Sequence, residues 1–83
     1  MNELVHFSAE WCMPCKKNTP IINEYIKDHP EIKYNKYDVD TNIEIAKIFD
    51  VMAVPAYFSI KDDQPYKKHF GVITKTELDN LFL

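Results

Sequence analysis

Cys12 and Cys15 stand three residues apart, and they are the residues of this sequence best suited to do chemistry. A bridge between them would close so short a loop that chain entropy credits it with only about 2 kcal/mol, which makes it a poor staple. Small secreted scaffolds carry several bridges across longer loops, so the pair points to redox exchange and away from stability. The cysteines fall where a strand pattern ends and a helix pattern begins. The free N–H groups and positive dipole end of a helix favour an anion at its start. Cys12 is therefore expected to be the thiolate of lowered pKa and the attacking nucleophile. Cys15, one turn further in, is expected to attack the mixed disulfide on Cys12 and release the substrate. Zinc is the other use of such a pair, but a tetrahedral site needs four ligands, and His6, His29 and His69 lack matching spacing, so no metal is expected.

The neighbours of the pair belong to the same reading. Trp11 places a bulky indole beside the nucleophile, where it is expected to shield the sulfur and touch substrate. Met13 lies between the two sulfurs, where a flexible, polarizable side chain can widen the apolar contact surface and influence redox poise. Pro14 suits the first turn of a helix, where a missing N–H costs nothing.

The elements that position these residues follow from patterning. Glu3 to Ser8 reads as a strand that is apolar on both faces apart from His6, the mark of a central strand. Met13 to about His29 carries Ile21, Ile22, Tyr25 and Ile26 at helical spacing, with Pro30 as its stop and Pro20 expected to bend it. Ile32 to Val39 alternates like a half-exposed edge strand. Thr41-x-x-Glu44 has the form of a capping box, followed by Ile43, Ile45, Ala46, Ile48 and Phe49 as the apolar side of a second helix that ends near Asp50. Ala56 to Ile60 and Tyr66 to Phe70 read as a hairpin joined by the five-residue turn from Lys61 to Pro65. Thr74-x-x-Glu77 opens a last helix with Leu78, Leu81 and Phe82 inward. The order β-α-β-α-β-β-α predicts an α/β domain over residues 1–83: a right-handed parallel unit, an added antiparallel hairpin and three helices over the faces of a four-stranded mixed sheet.

The active segment Phe7-x-Ala9-Glu10-Trp11-Cys12-x-Pro14-Cys15-Lys16 resembles that of the thioredoxin family, with Met13 where glycine is usual. The resemblance continues in Pro20, in Lys36-x-Asp38-Val39-Asp40, in Val54-Pro55 and in Gly71, and so covers essentially the whole chain. It lacks the N-terminal strand and helix of full-length members and is similar to the minimal members. The resemblance implies a protein-disulfide reductase, recycled by a thioredoxin-reductase-type electron donor and acting as a monomer on disulfide-containing proteins. It implies no cofactor. It also implies a cis peptide at Val54-Pro55 whose backbone pairs with a substrate chain. Trp11, Met13, Pro14, Val54, Phe70 and Gly71 would then line the substrate groove, with Cys12, Cys15, His6 and Pro55 at the reacting centre. His6 stands where the family usually has a buried aspartate, near a lysine matched by Lys36. A buried imidazole beside a lysine is expected to stay neutral and still able to accept the proton of Cys15.

Two rivals remain. A glutaredoxin-like, glutathione-dependent reductase fits the short length, against which Trp11 precedes the first cysteine, no threonine precedes Val54-Pro55, and Val72 follows Gly71. A binding module that uses the fold as a scaffold would not need its thiols.

Composition narrows the partners. The chain has 83 residues, with ten lysines and no arginine against thirteen acids, for a net charge of −3. That leaves no basic footprint for nucleic acid. No apolar run approaches the ~20 residues that cross a bilayer. The N-terminal residues have no basic and apolar leader pattern and pass directly into a strand, so a cytoplasmic home is expected.

Overall fold

The computed structural model describes residues 1–83. Its elements run β1 (Glu3–Ser8), α1 (Met13–Asp28), β2 (Lys33–Asp38), α2 (Ile43–Ile48), β3 (Ala56–Lys61), β4 (Gln64–Phe70) and α3 (Lys75–Leu81). The strands form one sheet in the order β2-β1-β3-β4. β1 pairs in parallel with β2, and the antiparallel pairs are β1 with β3 and β3 with β4. β1 lies inside the sheet because both of its faces are apolar, and the half-exposed β2 takes one edge.

Alternation along β1 sends Leu4 and His6 to one face and Val5 and Phe7 to the other. Leu4 packs with Ile22 and Tyr25 of α1, Tyr57 of β3 and Leu78 and Leu81 of α3. Val5 and Phe7 pack with Ala56 and Phe58, under Ile45, Ala46 and Phe49 from α2 and its end. The sheet thus has α1 and α3 on one side and α2 on the other. α1 continues through Pro20 as one helix.

Three local expectations need correction. Thr41 and Glu44 do not form a capping box: the N-cap of α2 is Asn42, which makes no side-chain cap. The Thr41 hydroxyl turns back toward the Asp38 carbonyl, which Asn42 Nδ2 also contacts at 3.0 Å, so these side chains close the turn after β2 instead. Nor are Ile43 and Ile48 part of the buried face of α2; both are exposed, flanking the side that Ile45, Ala46 and Phe49 present to the sheet. The hairpin turn is tighter than expected, because Lys61 pairs with Gln64 and only Asp62 and Asp63 are left between the strands. Both have positive φ, 54° and 65°, as a two-residue turn matched to strand twist requires. Pro65 therefore lies within the edge strand β4, where a strand tolerates a missing donor. The other capping box is real: Thr74 and Glu77 cap each other at the start of α3.

Candidate active site

Cys12 is the N-cap of α1 and Pro14 lies in its first turn. The Cys12 Sγ accepts a hydrogen bond from the Cys15 N–H at 3.2 Å, so the first turn of the helix is tied to this sulfur. The two cysteines form a disulfide, with Cα atoms 5.3 Å apart. Cys12 is 4% exposed and Cys15 1%, so exposure separates them little and their places in the helix separate them more. The first turn contains no acidic residue of its own to offset the positive end of α1.

Trp11 and Met13 stand out from the surface on either side of Cys12, 67% and 59% exposed. The indole is not loose: its Nε1 donates to Asp40 Oδ2 at 2.9 Å, and the Asp40 N–H in turn donates to Asp38 Oδ1 at 2.8 Å. The acidic end of β2 therefore orients the tryptophan. An apolar cleft of about 210 Å³ opens beside it, walled by Val39, Ala46, Val51, Met52, Ala53 and Val54. Only Trp11 and Val54 of these were legible in the sequence. Met52 and Ala53 come from an irregular loop, and no periodicity marks residues that meet through a loop.

The Val54–Pro55 peptide is cis. Pro55 is buried, and its carbonyl accepts from the Gly71 N–H at 2.8 Å. The Val54 backbone takes no part in the hydrogen bonds of the loops and turns. Gly71 adopts φ +96°, a conformation that favours glycine, with open space where a Cβ would be. Val54 packs with Cys12, Cys15 and Ala9. Phe70 is half buried edge-on against Phe58, 5.9 Å between ring centres, in the cluster that Val54 also joins; it is not among the residues packed around the two cysteines.

His6, on β1, is 1% exposed. Its ring stacks on Tyr57 at 4.5 Å, and its Nδ1 is 2.8 Å from the Tyr34 hydroxyl. Its Nε2 is buried with no hydrogen-bond partner. Burial, and secondarily the charge of Lys36, which pairs with His6 in the β1–β2 register, lower the imidazole pKa to about 4. At neutral pH the ring is uncharged. Tyr57 is committed elsewhere: its hydroxyl donates to Asn18 Oδ1 at 2.8 Å. Asn18 also takes the Ile73 N–H at 2.8 Å and gives Nδ2–H to the Ile73 carbonyl at 3.0 Å. The inward stripe of α1, Cys15, Asn18, Ile22 and Tyr25, thus rests on the sheet face that carries His6. Asn18 escaped the sequence reading, although a polar residue in register with that apolar stripe was its signal.

These observations define a class first: a dithiol pair at a helix start, beside a cis-proline loop, on a mixed sheet covered by helices on both faces. The chain belongs to the thioredoxin family, whose model, described as Thioredoxin, matches residues 1–82. It is 40% identical over 76 residues to a thioredoxin of Mycobacterium bovis, a match covering 90% of this chain and 66% of that protein. The chain thus spans just under two thirds of that relative's length. A bifunctional thioredoxin reductase/thioredoxin of Mycobacterium leprae is 37% identical over 76 residues, covering 90% of this chain and 17% of that one. Among solved structures, the oxidised form of mitochondrial thioredoxin 3 from Saccharomyces cerevisiae superposes with a TM-score of 0.89 at 34% identity, covering 95% of this chain and 74% of the other.

Proposed function

We propose that the chain is a protein-disulfide reductase that works by dithiol–disulfide exchange, as a monomer in the cytoplasm. The observation that carries this reading is the Cys12–Cys15 disulfide at the N-terminus of α1, with Cys12 Sγ held by a helix N–H. Once the pair is reduced, a helix start and a backbone N–H directed at Sγ are the features that stabilise a thiolate at Cys12. Its thiolate attacks a substrate disulfide and forms a mixed disulfide. Cys15 then attacks Cys12 Sγ, expels the substrate thiolate and restores the internal disulfide. Val54 packs against the two cysteines, Trp11, Met13 and Pro14 adjoin Cys12 in the chain, and Gly71 is bonded to Pro55; with Phe70 these residues are assigned to the groove that would hold the substrate. The unengaged Val54 backbone is placed to pair with an extended substrate segment, its position fixed by Pro55.

His6 serves as the buried base for Cys15. Complete transfer from a thiol of ordinary pKa ~8.5 to an imidazole near 4 would cost roughly 6 kcal/mol. The proton therefore moves together with sulfur attack, not ahead of it. Two electrons per cycle come from a thioredoxin-reductase-type donor. The Mycobacterium leprae relative, whose name joins the two activities, supports that partner.

Reduction of insulin disulfides, with dithiothreitol as donor, tests the function. The wild-type chain should accelerate it and Cys12→Ser should not. Cys15→Ser should accumulate mixed disulfides with substrate proteins, whereas Cys12→Ser should trap few. Preferential alkylation of Cys15 at pH 7 would reverse the assignment of the two thiols. A double Cys→Ser protein that keeps its biological activity would replace the reductase reading with that of a binding module.

A further inference from the structure

His6 Nε2 is a buried side-chain nitrogen left without a partner, whereas the rest of its ring is tightly held. Tyr57 stacks on the ring but spends its hydroxyl on Asn18. Lys36, across the β1–β2 register, is exposed and makes no hydrogen bond to it. The Tyr34 hydroxyl, 2.8 Å from Nδ1, is the one polar group that touches the imidazole. Tyr34 sits on edge strand β2, two residues before Lys36, and is only half buried.

A neutral imidazole carries one proton, and two arrangements satisfy Nδ1. If Tyr34 donates to Nδ1, the proton is on Nε2, and a buried N–H is left with no acceptor. If Nδ1–H donates to the Tyr34 oxygen, Nε2 keeps a bare lone pair and the Tyr34 proton is free to point toward water. Orphaned buried N–H groups are rarer in folded proteins than under-used acceptors, which favours the second arrangement. It is also the arrangement that makes Nε2 a base.

We propose that Tyr34 is a positioning residue: its hydroxyl accepts from His6 Nδ1–H and so fixes the tautomer in which Nε2 can take the proton of Cys15. This rests on the reading of His6 as the buried base. In the step itself, the Cys15 S–H proton passes to Nε2 while Cys15 Sγ bonds to Cys12 Sγ and the bond between Cys12 and the substrate sulfur breaks. The electron pair of that bond leaves with the substrate thiolate, which is then protonated from solvent, and the imidazolium returns its extra proton to solvent. No further reactant is required. During the step the Nδ1–H···O bond to Tyr34 strengthens, because its donor has become charged.

The test uses Tyr34→Phe, alone and combined with His6→Ala, with both chemical steps followed by the fluorescence of Trp11. Tyr34→Phe should leave the first attack by Cys12 unchanged and slow resolution on the order of tenfold, the factor that one hydrogen bond of ordinary net strength is worth. In the His6→Ala background the same substitution should do nothing further. Nitrogen-15 NMR of the His6 ring should show Nδ1 protonated in the wild type and a loss of that preference in Tyr34→Phe. The proposal is overturned if the wild-type proton sits on Nε2, if Tyr34→Phe leaves the tautomer unchanged, or if it slows resolution equally with and without His6. If His6→Ala alone leaves resolution unchanged, it is the base reading that falls, and the kinetic role of Tyr34 falls with it. The NMR result then still decides whether Tyr34 orders the ring.

Discussion

Lowering the pH from 7 to 5 should destabilise the folded chain through a single buried ring. His6 has its pKa lowered from 6.5 to about 4, so between those values the unfolded chain binds a proton that the folded chain refuses. The sign follows from linkage: where the unfolded state binds more protons, stability rises with pH, and it is lost as pH falls through this window. At about 1.36 kcal/mol for each pH unit, the full loss is roughly 3 kcal/mol once both states are protonated, and about 2 kcal/mol is already gone at pH 5. That is a sizeable share of the roughly 4–12 kcal/mol expected for a domain of this length. Urea unfolding of the oxidised protein at pH 7 and pH 5, wild type against His6→Leu, isolates the effect. The carboxylates, His29 and His69 are common to both proteins and cancel in the comparison. The wild type should lose about 2 kcal/mol more than His6→Leu over that interval. Parallel losses in the two proteins, or an NMR titration of His6 with a midpoint near 6.5, would refute the reasoning.

His6→Ala should slow resolution of the mixed disulfide by roughly 10²-fold, near the low end for a general base, and leave the first attack nearly intact. His6→Asp should restore part of that rate, and equal effects on both steps in stopped-flow would make the residue one of packing alone. Met13→Gly should shift the reduction potential by tens of mV, on the order of 1 kcal/mol, in equilibrium with glutathione; an unchanged potential would make Met13 an incidental surface residue. Asn18→Ala removes the partner of the Tyr57 hydroxyl and of both backbone groups of Ile73. With three groups left unpaired at about 1–3 kcal/mol each, it should cost at least roughly 3 kcal/mol in denaturant unfolding, and a loss under about 1 kcal/mol would mean that water replaces the amide.

The sheet was legible because its strands differ in the way their positions require: β1 is apolar on both faces, and β2 alternates. The CxxC pair was legible because its chemistry depends on spacing within one helical turn. The two capping boxes show where such reading stops. Thr41-x-x-Glu44 and Thr74-x-x-Glu77 have the same spacing, yet only the second forms, because the carbonyl of Asp38 competes for the Thr41 side chain. That competition depends on how the chain leaves β2, which residue types alone do not state. The apolar cleft beside Trp11 was visible only in Trp11 and Val54 for the same reason, since Met52 and Ala53 reach it through loop geometry.

The buried surroundings of His6 were legible in their residues but not in their wiring. His6 stood out as a polar residue in an apolar strand, but its partner Tyr34 is 28 positions away and meets it only through the β1–β2 register. Under the proposed mechanism, that wiring would let this chain do without the family's usual carboxylate. If position 6 faces the sulfurs as the proposed mechanism requires, a buried aspartate there would oppose their ionisation, because like charge disfavours the thiolate. A neutral imidazole imposes no such opposition, but as a base it is weakened by the same burial that keeps it uncharged. A weak base contributes most when its lone pair is already on the correct nitrogen, because no part of the barrier is then spent on selecting a tautomer. On this argument the substitution at position 6 and the hydroxyl at position 34 act as one device, and neither is fully effective without the other.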